Sequence, residues 1–197
     1  MGRLDGYRKS RDFRKTPEPS GDHGGGSEQR FVIQKHDASS LHYDFRLEMG
    51  GVLVSWAVPK GLSTDTRERR LAIQTEDHPV DYIDFEGVIP EDEYGGGTVL
   101  VWDTGAYRNL RADKDDDGSD MQASLDEGQI EVWLEGKKLK GGYVLKRTEA
   151  GRKPKWLVIK MEDDEADARR NPVSTEPDSV LSGRSLDEVR EDAGEGA

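Results

Sequence analysis

Residues 34–47 read QKHDASSLHYDFRL, and from residue 41 onward apolar and polar side chains alternate. Alternation with a period of two is typical of a half-buried β-strand, whose successive side chains point to opposite faces. Residues 31–36 alternate in the same way, and the Asp37–Ser40 segment between the two runs is typical of a turn. We therefore predict two neighbouring strands. The side chains expected to face a core are Leu41, Tyr43, Phe45 and Leu47.

The other face of these strands carries chemically active side chains. A short turn would bring His36, His42 and Asp44 to one point, with Arg46 slightly farther along. Imidazole and carboxylate groups bind zinc, manganese or iron, and the arginine fork suits phosphate. A metal beside an arginine is suited to attack on a phosphoester. The alternative is that these residues are merely the polar face of a solvated strand.

The composition limits the class of protein. The chain has 197 residues, 32% hydrophobic and 36% charged, which predicts one domain with a modest core. It has no apolar run long enough to span a bilayer and no signal-peptide pattern, so we expect no membrane association. It also has no cysteine, which excludes disulfides and thiolate ligands and fits a cytoplasmic protein.

The net charge of −12 argues against nucleic-acid binding, but the charge is unevenly distributed. Residues 111–127 have a net charge of −5 and residues 162–197 one of −8, which leaves the rest of the chain nearly neutral. Residues 128–161 hold nine basic and three acidic groups. The basic turns at 137–140 and 152–155 could therefore follow a phosphate backbone, or could simply aid solubility.

Strand patterns with almost no helix predict a mainly β protein, a closed or nearly closed antiparallel barrel of about eight strands with few short helices. The predicted strands are 31–36, 41–48, 52–58, 70–75, 98–103, 129–134, 142–147 and 155–161. Residues 1–30 form an N-terminal arm, partly flexible, and 31–161 the barrel. Residues 162–197 are expected to be an acidic, mostly disordered tail, with a capping-box spacing at Ser185 and Glu188 that favours a short helix.

Further candidates lie at strand ends and in the arm. His78 follows a predicted strand, in a loop position where catalytic groups are often found. Lys60 lies after the strand that ends at Val58 and is either plain surface or a substrate contact. The arm could be a disordered basic segment, or it could fold over the site as a clasp.

These motifs resemble the 3′-phosphoesterase domain of bacterial DNA ligase D. The resemblance covers about residues 8–161. The matching motifs are RDF at 11–13, TPEPSG at 16–21, FVIQKHD at 31–37, LHYDFRL at 41–47, SWAVPKG at 55–61, DHPVDY at 77–82 and FEGVIP at 85–90.

The resemblance implies a β-barrel enzyme of non-homologous end joining that depends on Mn²⁺, with Co²⁺ or Zn²⁺ as alternatives. It would remove a 3′-terminal ribonucleoside and then the 3′-phosphate, leaving a 3′-OH for ligation. Its implied metal ligands are His36, His42 and Asp44. The implied contacts to the scissile phosphate are Arg46 and His78. His78 would also be suited to act as an acid or to stabilise the transition state. The implied phosphate and sugar pocket comprises Gln34, Lys60, Arg70 and Tyr82, joined by Arg11, Asp12 and Glu18 of the arm.

The expected partners are duplex or primer–template 3′ ends that bear a phosphate or a ribonucleotide. No ligase-type Lys-x-Asp-Gly motif is present, so we expect the protein to work with a separate DNA ligase and a Ku-like end-binding protein. We also expect a monomer, located in the cytoplasm at DNA ends in the nucleoid. Two departures from the family, Asp92 in place of a usual glycine and the long Asp-rich 111–127 segment, bear on substrate access.

Two other functions fit the same residues. The order His42, Asp44, His78 is also that of the two-histidine, one-carboxylate triad of non-haem iron oxygenases, although the next arginine is as distant as Arg108. The third hypothesis is a DNA-end binding module whose metal is structural. Metal-dependent release of phosphate would distinguish the phosphoesterase from the binding module, because a binding module should leave the DNA end unchanged.

Overall fold

The computed structural model describes residues 2–22, 28–112 and 120–195. Ten strands lie in these ranges. They are β1 (Arg30–Asp37), β2 (Leu41–Met49), β3 (Val52–Val58), β4 (Arg69–Gln74), β5 (His78–Pro79), β6 (Gly87–Ile89), β7 (Gly97–Asn109), β8 (Gln129–Gly136), β9 (Lys140–Glu149) and β10 (Lys155–Lys160). The helices in the same ranges are α1 (Asp5–Lys9), α2 (Met121–Glu127), α3 (Pro172–Thr175), α4 (Leu186–Glu195) and a 3₁₀ helix (Val80–Asp84).

Eight of the described strands close into an antiparallel barrel, in the order β1-β2-β3-β4-β10-β9-β8-β7, and β7 pairs back onto β1. This confirms the predicted fold class. The β1–β2 register sets His36 opposite His42 and Gln34 opposite Asp44, so the hairpin places the predicted ligands side by side. No helix in the described ranges is long and apolar enough to cross a membrane.

The barrel interior is filled by apolar side chains from all eight strands, among them Trp56, Trp102 and Trp156, which are fully buried. Tyr43, Phe45 and Leu47 enter this core as predicted. The prediction for Leu41 is wrong, because its side chain is 46% exposed. This residue begins β2 at the rim, beyond the reach of the core.

The N-terminal arm packs against the outside of the wall that β1, β2 and β3 form. Tyr7 of α1 is fully buried in a second apolar cluster that includes Leu53 of β3, Val99 of β7 and Tyr82 of the 3₁₀ helix. The Tyr7 hydroxyl donates to the carbonyl of Pro19 at 2.6 Å, which closes the arm on itself. Polar residues on the outer face of β1 and β2 are therefore covered rather than solvated.

Segment 162–195 lies along the barrel, in contrast with the expected mostly disordered tail. The Trp102 indole and the Lys138 ammonium both donate to the carbonyl of Glu176, each at 2.8 Å. The Val180 amide donates to the carbonyl of Val101 at 3.0 Å, and Val189 of α4 is buried in the main core. Most of these contacts involve the tail backbone, which leaves no mark in its composition. The boundaries of arm, barrel and tail stay predictions.

The Asp-rich segment 111–127 is described only in part. Residues 113–119 lie outside the described ranges. Asp120 caps α2 by accepting the Ala123 amide at 2.6 Å, and Gly128 ends the helix with a φ of +80°. The buried Met121 and Leu125 of this helix join the main core.

Replacing Val189 with aspartate should lower the free energy of unfolding by about 3 kcal/mol, since a buried apolar contact is lost and an unpaired charge is buried. The measurement is urea unfolding followed by tryptophan fluorescence. Glu191→Ala, an exposed change on the same helix, is the matched control and should leave the midpoint unchanged. Equal midpoints for both variants would mean that α4 is not part of the cooperative fold.

Candidate active site

The β1–β2 hairpin forms the centre of the site. Asp44 Oδ2 lies 3.3 Å from His36 Nδ1 and 3.3 Å from His42 Nε2. One ligand atom from each of the three residues lies within 4.8 Å of the others. His36 and Asp44 are buried, and His42 is half-buried at the rim.

These residues fit a divalent metal ion. The Nε2 atom of His36 is buried without a hydrogen-bond partner, and such orphaned atoms are rare unless a ligand completes them. Nδ1–H of His42 donates to the carbonyl of Ser40 at 3.0 Å, which turns Nε2 toward Asp44. A backbone carbonyl on the second ring nitrogen is the usual way in which proteins orient a metal-binding histidine. The trio could therefore hold a metal.

Arg46 lies directly behind the trio and is almost fully buried. It donates from Nε to Gln34 Oε1 at 2.7 Å and from Nη1 to Ser55 Oγ at 2.9 Å, while Nη2 lies 3.5 Å from Asp44 Oδ2. Burial alone would raise the pKa of Asp44. The Arg46 charge and the hydrogen bonds from His36 and His42 overcome that effect and hold the pKa well below its ordinary value. Asp44 is thus ionised at neutral pH.

His78, which forms β5, faces the same space from the opposite side. Its Nδ1–H donates to the carbonyl of Glu76 at 3.0 Å, and its ring lies 5.1 Å from that of Tyr7 and 4.8 Å from that of Tyr82. Burial and the charges of Arg46 and Arg11 hold its pKa well below the ordinary value. His78 is therefore neutral, and its Nε2 lone pair is available as an acceptor.

The arm contributes a buried cation and a buried anion. Arg11 donates from Nε to Glu18 Oε1 at 3.0 Å and from Nη1 to Glu76 Oε1 at 2.7 Å. The Tyr82 hydroxyl donates to the same Glu18 oxygen at 2.9 Å. The Nη2 of Arg11 lies 3.5 Å from His78 Nε2, so this arginine points at the lone pair of His78. The arm residues and the β-barrel residues thus form one polar network.

The network lines a cavity of about 260 Å³. Eight of the predicted site residues line it, and these are Arg11, Glu18, His36, His42, Asp44, Arg46, His78 and Tyr82. The structure does not place the other four on its wall. Gln34 lies behind Arg46, donating to the carbonyls of Tyr82 and Phe85 at 2.8 and 3.1 Å.

Asp12, Lys60 and Arg70 also lie off the cavity wall. Asp12 points outward and pairs with Arg14 at 2.9 Å, which lowers its pKa to about 2. Arg70 donates to the carbonyl of Lys60 at 2.6 Å and so anchors the loop after β3. The Lys60 side chain is exposed. A substrate role for these three stays a prediction.

Sequence reasoning missed three residues in or beside the cavity. Glu76 lines it and holds Arg11, Tyr94 lines its mouth, and Tyr7 stacks beneath Arg11 with the guanidinium carbon 3.8 Å from the ring centroid. Glu76 adjoins the DHPVDY motif and could have been included on that ground. Nothing in the pattern around Tyr7 or Tyr94 distinguishes them from ordinary surface tyrosines.

The buried neutral state of His78 predicts a specific dependence of stability on pH. The unfolded chain binds a proton at this histidine near pH 6.5 and the native protein does not, so the stabilisation is complete above pH 6.5 and is lost as the pH falls. Between pH 6.5 and 5.5 the free energy of unfolding of the natural protein should fall by about 1 kcal/mol more than that of His78→Asn. Urea unfolding at both pH values measures this, and parallel pH profiles would contradict it.

The resemblance in the motifs implied a β-barrel enzyme, and the structure has a closed antiparallel barrel that carries a His, His, Asp cluster beside the buried Arg46. Residues 34–147 match the model of a family described as the DNA ligase D 3′-phosphoesterase domain. This match covers more than half of the chain, so the protein belongs to that family.

The similar curated proteins are much longer. The multifunctional non-homologous end joining protein LigD of Pseudomonas aeruginosa is 47% identical over 186 residues, which are 91% of this chain and 21% of that protein. LigD of Mycolicibacterium smegmatis is 45% identical over 165 residues, 82% of this chain and 21% of that protein. LigD of Mycobacterium tuberculosis is 45% identical over 163 residues, 82% of this chain and 20% of its own length. The chain therefore spans about a fifth of these relatives.

Proposed function

We propose that the protein is a metal-dependent phosphoesterase that heals DNA 3′ ends for non-homologous end joining. Its substrates would be primer–template or duplex ends bearing a terminal ribonucleotide or a 3′-phosphate, and its product a 3′-OH. The observation that supports this best is the His36, His42 and Asp44 trio, with its ligand atoms within 4.8 Å of one another beside the buried Arg46. The family match supports the same class of reaction.

His36, His42 and Asp44 would hold the metal, with Mn²⁺ as the proposed ion and Co²⁺ or Zn²⁺ as substitutes. When bound, such an ion supplies charge neutralisation and an activated water. Arg46 would hold a phosphoryl oxygen, since Gln34 and Ser55 fix its guanidinium in place. Arg11 would add a second positive group from the other side of the cavity. Both cations are preorganised for the negative charge that grows in the transition state.

His78 would act as a hydrogen-bond acceptor in the resting site. Its neutral ring presents the Nε2 lone pair and not a proton, because Nδ1–H is donated to Glu76. This supports a role in orienting a water or a ribose hydroxyl, and it argues against a general acid that is charged before substrate binds. A bound phosphate would place a negative charge beside Arg11, Arg46 and His78. That charge would offset the repulsion between the two arginines and a protonated His78, and would therefore raise the pKa of His78.

The first experiment uses a 5′-labelled primer–template ending in one ribonucleotide, with Mn²⁺ or EDTA. Stepwise conversion to a 3′-phosphate and then to a 3′-OH, in Mn²⁺ only, is the expected result. Removal of a 3′-phosphate without removal of the ribonucleoside would show that the protein is a phosphomonoesterase only. An unchanged end on a bound duplex would favour the end-binding module instead. A ligase and a Ku-like protein that act with it are proposed partners.

The oxygenase hypothesis has less support. Its triad needs His42, Asp44 and His78 around one ion, whereas the structure groups His36 with His42 and Asp44. The Nε2 atom of His78 faces the Arg11 guanidinium at 3.5 Å, where a second cation would be repelled. Oxygen consumption with Fe(II) and 2-oxoglutarate would revive the hypothesis.

A further inference from the structure

A second groove, of about 620 Å³, continues directly from the active-site cavity. The two share Ala57, Thr75, Glu76 and Tyr94 as walls. The groove then runs past the end of β4 to the turn between β9 and β10, where Arg152 and Lys153 line it. Any polymer whose end enters the cavity therefore has an open path along the protein surface.

The cations at the far end of this groove have no side-chain partner among the residues that the structure describes. Arg152 and Lys153 are exposed, and neither makes an ion pair or a side-chain hydrogen bond within the described ranges. Their neighbour Lys155 differs, since it pairs with Glu149 at 3.1 Å. The turn itself is anchored, because the Gln74 amide donates to the carbonyl of Pro154 at 2.9 Å. Within the part of the chain that the structure describes, two unpaired positive charges are thus held on a fixed backbone.

The junction between cavity and groove presents an aromatic ring. Tyr94 is 57% exposed, the most exposed large hydrophobic side chain in the described ranges. Its ring centroid lies 5.2 Å from the Arg11 guanidinium carbon, so the ring stands next to the proposed phosphate site. Aromatic rings followed by free cations are the recurring elements of surfaces that bind single strands.

We infer that this groove holds the strand that carries the reacting 3′ end, on the 5′ side of the scissile phosphate. Tyr94 stacks on a base next to the reacting end, and Arg152 and Lys153 contact backbone phosphates farther upstream. The inference rests on the proposed function and specifies how its substrate lies. Continuity with the cavity and charge complementarity select a nucleic-acid strand. The acidic tail, the main anionic segment of the chain, is already bound elsewhere through Lys138.

The chain offers a matched control at the other basic turn. Lys137 and Lys140 are exposed, make no side-chain hydrogen bond or ion pair within the described ranges and do not line the groove. They lie near the start of β9, and Arg152 lies beyond its end. Ten residues of strand separate the two turns by roughly 30 Å. Removing two charges there changes the net charge equally without touching the proposed path.

The test is fluorescence anisotropy of the full chain in Mn²⁺ with a 5′-fluorescein deoxyoligonucleotide of 12 residues ending in a 3′-OH, which the proposed reaction does not alter. Arg152→Gln/Lys153→Gln should bind roughly 25-fold more weakly at 0.1 M salt, because each lost phosphate contact removes a factor of about 5. The slope of log K against log salt should become shallower by about 1.4. Lys137→Gln/Lys140→Gln should match the natural protein.

Substitutions at Tyr94 give a second, independent measurement in the same test. Tyr94→Ala should weaken binding about tenfold and Tyr94→Phe should not, since only the ring is needed for stacking. Natural affinity and salt slope in the Arg152/Lys153 variant would overturn the inference. So would an equal loss in the Lys137/Lys140 control, or full competition by an acidic peptide of equal charge. Binding through the groove without cleavage of a 3′-phosphate would refute the proposed function alone.

Discussion

Replacing His42 with alanine is expected to abolish cleavage of a 3′-phosphorylated primer, with kcat falling by at least about 10³-fold. The substitution removes one of the three proposed metal ligands and leaves only His36 and Asp44. Because the third group is lost, the metal should bind weakly and out of place. Single-turnover cleavage of a 5′-labelled primer–template at saturating Mn²⁺ is the measurement.

Metal binding to the same variant can be measured without an activity assay, from the stabilisation that the metal gives the folded protein. Mn²⁺ at 100 times its Kd should stabilise the natural protein by about 2.7 kcal/mol and should stabilise His42→Ala far less. Leu41→Ala is the matched control, since it alters the neighbouring exposed residue of β2 and should keep both activity and metal stabilisation. Near-natural cleavage by His42→Ala would remove the metal trio from the mechanism.

Replacing Arg46 with lysine should lower kcat about 10²-fold, and replacing it with alanine about 10³-fold. The guanidinium contacts Gln34, Ser55 and Asp44 at once, whereas an ammonium on a flexible stem keeps the charge and loses this fixed fork. The alanine variant also leaves Asp44 without its cationic neighbour, which should raise the pKa of that carboxyl. Steady-state kinetics on the 3′-phosphorylated primer separate kcat from KM.

Arg14 supplies the control for this series. Its side chain is 89% exposed and pairs with Asp12, so Arg14→Ala should leave kcat, KM and stability near their natural values. A rise in KM at constant kcat for Arg46→Lys would show that Arg46 binds ground state and transition state equally. That outcome would contradict its proposed part in stabilising transition-state charge.

Local patterns in the sequence determine the β1–β2 hairpin and the trio on it. Side chains alternate along a strand with a period of two, so one stretch of fourteen residues placed Tyr43, Phe45 and Leu47 in the core and the ligands on the other face. Similar runs elsewhere predicted the eight barrel strands. Such signals depend only on near neighbours in the chain, so they can be recognised without knowing the fold.

The extent of burial at the site was not visible in this way. Asp44, Arg46 and His78 were expected on an outer face or in a loop, yet the arm and the 3₁₀ helix cover them. The cover depends on the packing of Tyr7, more than 60 residues before its stacking partners His78 and Tyr82. Burial, with the charges of Arg46 and Arg11, in turn lowers the pKa of His78, whereas the pKa of Asp44 is lowered by Arg46 and the two histidines against the effect of burial.

The sequence by itself therefore determined the barrel, the candidate ligand trio and eight of the residues that line the cavity, because short-range periodicity and motif spacing encode them. Only the tertiary structure decided that Gln34 supports Arg46, that Glu76 and Tyr94 belong to the cavity and that the tail lies along the barrel. These features depend on contacts between distant segments and on hydrogen bonds to backbone carbonyls. Such bonds are almost independent of residue type, so no pattern in the sequence marks them.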